Sequence, residues 1–219
     1  MDVKKMRIAL ILENSQKKKV EYVKSVLERV AQKYNHEIFC YGVSENSKVS
    51  IDYVGTGVLT GILLNTGAVD FVITGCSTGC GASIASNMMP NVYCGYVKDK
   101  VDALLFRKIN AGNAISIPYG RIFGVGFEII LEEIFTTLFE TEEASGYPSE
   151  RKEIQDKQRD NLVKIKECTN RDLLSILEEM DKDYLYSIVH NDYFEENFFK
   201  YSENDEIALF LKNIIDAFE

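Results

Sequence analysis

The stretch that decides the fold is Phe71–Asn87, which reads FVITGCSTGCGASIASN. Its first four residues are apolar, β-branched or aromatic, a composition typical of a buried parallel strand. Three glycines follow within seven residues, and the next segment, Gly81–Met88, fits a helix. The order strand, glycine loop, helix is the repeating unit of a parallel α/β sheet.

The same alternation extends outward from Arg7 to about Leu138. Short apolar runs alternate with segments in which Val, Leu and Ile recur every three or four residues, as in amphipathic helices. We therefore predict a three-layer α/β/α Rossmann-like fold with a five-stranded parallel sheet in the order 2-1-3-4-5 and right-handed crossovers. The predicted strands are Arg7–Leu12, Glu37–Tyr41, Phe71–Thr74, Val92–Val97 and Ala114–Pro118.

The character of the sequence changes after Ala144–Pro148. Strand-like runs end there, the density of charged residues rises, and helical periodicity continues to Glu219. We therefore predict a Rossmann-like domain over residues 1–145 and a helical C-terminal extension over residues 146–219. No linker between them is long or rich enough in Pro and Gly to indicate an independent module.

Composition argues against nucleic-acid and membrane partners. The 219 residues include 25 Lys and Arg against 34 Asp and Glu, a formal net charge of −9. This balance gives no overall attraction to phosphates or anionic lipid. No run reaches the roughly 20 apolar residues that span a bilayer, and no export signal is evident.

The cysteine content predicts free thiols in a reducing cytoplasm. Five cysteines in a chain of this length are an odd and sparse set, unlike a disulfide framework. With two histidines in the whole chain, His36 and His190, no set of partners for a zinc site is evident either. Both histidines are interpreted as structural or surface residues.

The loop after the third strand is the candidate site. In open α/β sheets, ligands bind beyond the carboxyl ends of the strands, where the strand order reverses. In the predicted order this point lies between strands one and three. The loop Glu13–Ser15 would then face the loop Gly75–Gly81 across the crevice, which brings a carboxylate close to the thiol of Cys76.

The glycine-rich loop is suited to an anion. Its glycines let successive N–H groups converge, and the helix that follows adds its positive dipole end. Such a nest stabilises a bound phosphate, a developing enediolate or a thiolate, so Cys76 is a candidate base or nucleophile. Thr78 is placed to hydrogen-bond the sulfur. In the alternative interpretation, the glycines only make a tight turn around a buried cysteine.

Other interpretations of this loop are less well supported. The spacing G-x-x-x-G-x-G matches neither the dinucleotide fingerprint nor a Walker A loop, and the chain has no serine-hydrolase elbow. Cys76 and Cys80 lack the C-x-x-C spacing of thioredoxin-like sites. Redox work by these two thiols is kept as an alternative.

The segment Val72–Asn87 resembles the C-G-T-G-x-G-x-S-I-A-A-N signature of the type B ribose-5-phosphate isomerase and galactose-6-phosphate isomerase family. The resemblance continues at Asp52-Tyr53, at Arg107–Ala114 and around Gly146, and covers about residues 7–160. It implies a ketol isomerase that needs neither metal nor nucleotide. It also implies a homodimer with sites at the subunit interface. The helical extension would enlarge the dimer interface, cap the active-site crevice or promote a tetramer, and the sequence does not choose among these roles.

Residue roles follow from the same resemblance. Cys76 is expected to move a proton between C1 and C2 through a cis-enediolate, with Thr78 supporting its thiolate and Glu13 shuttling hydroxyl protons. The other residues expected to contact substrate are Asn14, Tyr53, Ser77, Gly79, Cys80, Gly81, Asn110 and Arg151.

Three departures from the family pattern concern the substrate. Glu13-Asn14 replaces an Asp-His pair, Ile109 stands where a histidine opens the furanose ring, and Tyr147 replaces the first of two phosphate-binding arginines. The sequence therefore predicts either a pentose or hexose phosphate or an open-chain acid sugar such as a 4-deoxy-5-keto-uronate. The uronate isomerases of the family also have a helical extension. A non-catalytic sugar-binding protein is the alternative from another class. Further candidate anion contacts are Lys98, Arg107 and Arg121.

Overall fold

The computed structural model describes residues 5–45 and 50–218. Its strands are β1 (Arg7–Leu12), β2 (Glu37–Cys40), β3 (Phe71–Cys76), β4 (Cys94–Tyr96) and β5 (Ala114–Pro118). Its helices are α1 (Val20–Lys33), α2 (Tyr53–Asn65), α3 (Cys80–Asn87), α4 (Lys100–Leu105), α5 (Tyr119–Ile122), α6 (Phe127–Glu140), α7 (Lys152–Thr169), α8 (Leu173–Glu179), α9 (Lys182–Val189), α10 (Asp192–Tyr201) and α11 (Asp205–Phe218). Short 3-10 helices cover Asn14–Lys19 and Ser149–Arg151, and a π-helix covers Phe106–Asn110.

The five strands form one parallel sheet, which confirms the predicted fold class. The observed order is β2-β1-β3-β5-β4, so the predicted order is right for the first three strands and wrong for the last two. All five residues of β5 are buried, whereas the three residues of β4 are partly exposed. A short, partly exposed strand suits an edge, and the fully buried strand takes the interior place beside β3.

Helices flank the sheet in two groups. Helices α1 and α4 both pack against α6, and α2 packs against α3. In α1, the apolar positions predicted from the periodicity are buried: Val20, Val23, Val26, Leu27 and Val30. Burying each such side chain contributes on the order of 1.5–3 kcal/mol. Helix α2 is buried continuously from Gly55 to Leu63, because helices cover it from several sides.

The described residues of the C-terminal extension form helices joined by short connections, as the sequence predicts. Helices α8 and α9 pack on α2, and α11 packs on α9. Aromatic side chains fix α10 to the β2 edge, because Tyr193 contacts Tyr41 and Tyr201 contacts Phe39, with ring centroids 5.5 and 5.1 Å apart. These aromatics act as packing residues. The division into domains at residues 145 and 146 stays a prediction.

Within the described ranges, no helix is both long and apolar enough to span a membrane. All five cysteines are free. The cytoplasmic location expected from them stays a prediction.

His36 is buried at the amino end of the sheet, between α1 and β2. Its Nδ1 accepts a hydrogen bond from the Met6 N–H at 3.2 Å, and its Nε2 has no partner among the described residues. Burial lowers the pKa of His36, and the charge of Arg107 lowers it further, while Asp70 opposes both. The folded protein therefore disfavours the imidazolium.

We expect His36 to make the fold acid-sensitive. Because its folded pKa is below the unfolded value of about 6.5, the unfolded chain binds the proton more tightly. The stability that the neutral ring contributes is therefore complete above pH 6.5 and is lost as the pH falls through the folded pKa. Urea unfolding between pH 7.5 and 5.5 measures this loss. His36→Gln should flatten the profile, and the exposed control His190→Gln should not. An unchanged slope in the His36 variant would contradict the assignment.

Candidate active site

The carboxyl ends of β1, β3 and β5 meet at one edge of the sheet. Leu12 pairs with Gly75, and Cys76 pairs with Pro118. Adjacent strands are about 4.8 Å apart, so Glu13 and Cys76 leave the sheet side by side. The register therefore places the two residues on adjacent strand ends, and the predicted facing of their carboxylate and thiol stays a prediction.

Cys76 is the last residue of β3 and is surrounded by exposed loop residues. Its side chain is buried, with 8% of its surface exposed, whereas Ser77, Thr78 and Cys80 are exposed. The Sγ of Cys76 lies 3.8 Å from the Oγ1 of Thr78, as predicted. Cys80 directs its thiol to the Thr78 carbonyl at 3.7 Å. The thiol is therefore sheltered, with a hydroxyl neighbour and exposed polar residues directly after it in the loop.

Two glycines make the loop geometry possible. A β-carbon on Gly75 would lie 2.2 Å from the Ile117 carbonyl oxygen, which leaves no room for a side chain. Gly79 has a φ of 74° and precedes the first turn of α3, and its carbonyl accepts a 2.7 Å bond from the buried Ser116 hydroxyl. The N–H groups that begin a helix have no intrahelical partner. The loop therefore offers N–H donors to an anion beside Cys76.

Glu13 is held by its own turn. Its carboxylate is buried, with 7% exposed, and accepts from the Ser15 N–H at 2.8 Å, from the Ser15 hydroxyl and from the Gln16 amide at 3.4 Å. The Gln16 side chain accepts in turn from Lys19 at 2.7 Å. Partial burial lowers the pKa of Lys19, and Glu13 opposes this shift. The carboxylate is thus fixed in position by the turn that follows β1.

Asn14 and Tyr53 join this edge through the segment 50–53. The Asn14 amide donates to the Ser50 hydroxyl at 2.9 Å and accepts from the Ile51 N–H at 3.0 Å. The Tyr53 ring lies over the start of α3, since a β-carbon on Gly81 would be 3.0 Å from its Cδ2. Tyr53 thus borders the Cys76 loop, whereas the side chain of Asn14 is committed to the neighbouring segment.

Asn110 and Arg151 lie elsewhere. Asn110 ends the π-helix that precedes β5, and the Gly146 N–H donates to the Lys108 carbonyl of that helix at 2.9 Å. This places the Gly146 turn and Arg151 near the amino end of β5. Cys76 is at the carboxyl edge, so one chain alone does not bring these two predicted contacts to the thiol.

The observed strand order places Arg121 at the same edge of the sheet as the Cys76 loop. Because β5 lies beside β3, the Gly120 N–H donates to the Ser77 carbonyl at 2.9 Å. Arg121 and Lys98 line an open cavity of about 510 Å³ at this edge. The predicted order places β4 next to β3 and gives no reason to single out Arg121.

Most arginines in the described part of the chain are paired with carboxylates. The exceptions are Arg121 and Arg151, which form no ion pair with another described residue. Arg107, considered from the sequence as an anion contact, is buried and bound to Glu143 at 2.8 Å. Arg107 is therefore committed to the fold rather than to a ligand.

The fold and this edge define the protein as a Rossmann-like enzyme with a cysteine loop at the switch point of its sheet. A family model described as Ribose/Galactose Isomerase matches residues 8–154. The chain belongs to the ribose/galactose isomerase family and is a sugar isomerase. A second model, described as Ribose-5-phosphate isomerase, matches residues 168–214 within the extension. This membership favours an enzyme over the non-catalytic binding protein considered from the sequence.

Three solved structures show how far the likeness extends. A 4-deoxy-L-threo-5-hexosulose-uronate ketol-isomerase complexed with a tartrate is 44% identical, with a TM-score of 0.94 over 96% of this chain and 100% of its own. A ribose-5-phosphate isomerase from Vibrio parahaemolyticus is 38% identical, with a TM-score of 0.92 over 95% and 99%. The type B enzyme from Leishmania infantum, 22% identical with a TM-score of 0.62 over 76% and 99%, shows the fold alone. None of the curated proteins compared with this chain matches it.

Proposed function

We propose that the protein is a ketol isomerase of an open-chain acid sugar of the 4-deoxy-5-keto-uronate class. The observation that carries this proposal is Ile109, a side chain that cannot transfer protons, at the position where the resemblance places the ring-opening histidine. An open-chain aldehyde needs no ring opening. The 44% identity to a uronate ketol-isomerase, which includes the extension, supports the same choice.

The reaction is a proton transfer between adjacent carbons. The thiolate of Cys76 removes the proton from C2 of the aldose, and the electron pair forms the enediolate with its charge on O1. The loop N–H groups stabilise this charge. Glu13 moves a proton between O1 and O2, and the Cys76 thiol returns its proton to C1 to give the ketose. No atoms are gained or lost.

Arg121 supports an acid substrate. Its guanidinium has no ion pair among the described residues and lies at the same edge as the loop, next to the residue that bonds Ser77. Guanidinium groups bind carboxylates through two parallel hydrogen bonds. We assign Arg121 to binding the substrate carboxylate. The N–H groups of the loop then bind the other end of the substrate, where the reaction takes place.

A second copy of the chain would complete the site. On α7, Leu162 and Ile165 are exposed at 51% and 60%. Ile84 on α3 and Met88, the residue after α3, are exposed at 66% and 65%. Asn170 bonds the Met88 carbonyl at 3.0 Å, so these apolar side chains belong to neighbouring surfaces. We infer that a partner subunit covers them and that Asn110 and Arg151 serve the partner's Cys76 loop.

A sugar phosphate is the second candidate substrate. The relative that favours it is the Vibrio parahaemolyticus protein, 38% identical and named a ribose-5-phosphate isomerase. Tyr147, at the position of one phosphate-binding arginine of the family pattern, argues against it. Arg151 alone would then carry the phosphate charge.

A substrate panel separates the two candidates. We expect kcat/KM for a 4-deoxy-5-keto-uronate to exceed that for ribose 5-phosphate and for hexose phosphates by about 10²-fold or more. The matched control is the same sugar with its carboxylate reduced to an alcohol. This control should lose about tenfold or more, because the arginine is left unpaired. Turnover confined to phosphorylated sugars would refute the acid-sugar assignment and leave the isomerase chemistry intact.

A further inference from the structure

The C-terminal extension reaches the segment that borders the active site. On α9, the Tyr184 hydroxyl donates a 2.7 Å hydrogen bond to Oδ1 of Asp52. The same oxygen accepts from the Gly55 N–H at 2.7 Å and caps α2. One turn further along α9, Ile188 lies against Gly55, where an added β-carbon would be 3.3 Å from its Cγ1. The start of α2 is thus held by its own capping hydrogen bond and by two contacts from the extension.

Asp52 belongs to a segment with two links to the active-site loops. Ser50 and Ile51 are bonded to Asn14, the residue after Glu13. Tyr53, the residue after Asp52, lies with its ring over Gly81. Residues 50–53 therefore connect the loop after β1, the loop after β3 and the extension.

The surroundings of Tyr184 favour its hydrogen bond to Asp52. The side chain is half-buried. Burial raises the pKa of Tyr184 and the hydrogen bond to Asp52 raises it further, so the hydroxyl stays a proton donor. A hydrogen bond to a charged acceptor is stronger than one between neutral groups.

We propose that Tyr184 is a positioning residue that holds Asp52 and, through it, Tyr53 against the Cys76 loop. This inference rests on the proposed function, in which Tyr53 contacts the substrate. It gives α9, a helix of the extension, a part in the reaction through the segment 50–53. Solved relatives that match 95% or 96% of this chain extend into this region, whereas the 22% identical enzyme matches 76%.

The test compares Tyr184→Phe with Tyr186→Phe. Tyr186 is on the same helix and stacks on His190 at 4.5 Å between ring centroids, away from Asp52. We expect Tyr184→Phe to raise KM about tenfold with kcat within about twofold of wild type, and Tyr186→Phe to change neither. In a Tyr53→Ala background, Tyr184→Phe should have no further effect, because the residue through which it acts is gone.

A second readout does not depend on turnover. Hydrogen exchange of residues 50–56, measured without substrate, should accelerate in Tyr184→Phe alone, with the rest of the chain unchanged. Wild-type KM and exchange in this variant, or exchange that rises equally throughout the chain, would overturn the positioning role. A wild-type protein inactive on every sugar of the panel would refute the proposed function instead, and the exchange comparison would still decide the role of Tyr184.

Discussion

Replacing Cys76 by serine is expected to lower kcat/KM by about 10²- to 10⁴-fold, the range that a positioned general base contributes. A serine hydroxyl has nearly the size of the thiol but does not ionise at neutral pH, so the buried position stays filled while the base is lost. The measurement is turnover together with exchange of the substrate C1 and C2 hydrogens in deuterated water. Turnover and hydrogen exchange should fall by the same factor.

The control for this variant is Cys168→Ser, an exposed cysteine at the end of α7. It should retain wild-type turnover. Thermal unfolding of Cys76→Ser should remain within a few degrees of wild type, because the substitution neither creates a cavity nor breaks a backbone bond. If Cys76→Ser turns over near normally, Cys76 is not the base, and Glu13 becomes the first group to test.

Mixing two defective chains is expected to restore activity. One chain carries Cys76→Ser and the other carries Asn110→Ala with Arg151→Ala. If each site takes Cys76 from one subunit and Asn110 and Arg151 from its partner, a heterodimer has one intact site and one site with all the lesions. A heterodimer purified through two different affinity tags should then have about half the wild-type kcat per dimer.

Two comparisons make this result decisive. A heterodimer of Cys76→Ser with the unmodified chain should also give about half, since it too has one site with an intact base. If both residue groups served the same chain, every site of the mixed dimer would be damaged. Its activity would not exceed the mean of the two parent dimers. That outcome, or a chain that stays monomeric, would refute the shared site.

The positions of the strands along the chain were predictable because buried strands and amphipathic helices space their apolar residues differently. The runs Arg7–Leu12 and Ala114–Pro118 are observed with the predicted bounds, and all five strands occur where the apolar runs lie. Their order was less predictable. The apolar composition of Val92–Val97 predicts a strand but does not show which strand it pairs with. In either an edge or an interior position of the sheet, the helix that follows it would pack on a face of the sheet.

Half of the candidate site follows from local sequence. Cys76, Thr78 and the glycines act within one loop, so their spacing alone predicts the arrangement that is observed. To predict that Glu13 follows the strand next to Cys76, only the pairing of β1 with β3 was needed. Arg121 depended on the position of β5, and the contact between Tyr184 and Asp52 joins residues 132 positions apart. No local pattern marks such a pair.

The sequence by itself determined the parallel α/β fold, the helical extension and the cysteine loop, because periodicity, glycine placement and loop chemistry act over a few residues. Only the tertiary structure decided that β5 lies beside β3. This position brings Arg121 to the edge of the sheet at which β3 ends with Cys76. The tertiary structure also separated Asn110 and Arg151 from the thiol and attached the extension to Asp52. These outcomes depend on which buried surfaces pack together across the whole chain, which no single segment encodes.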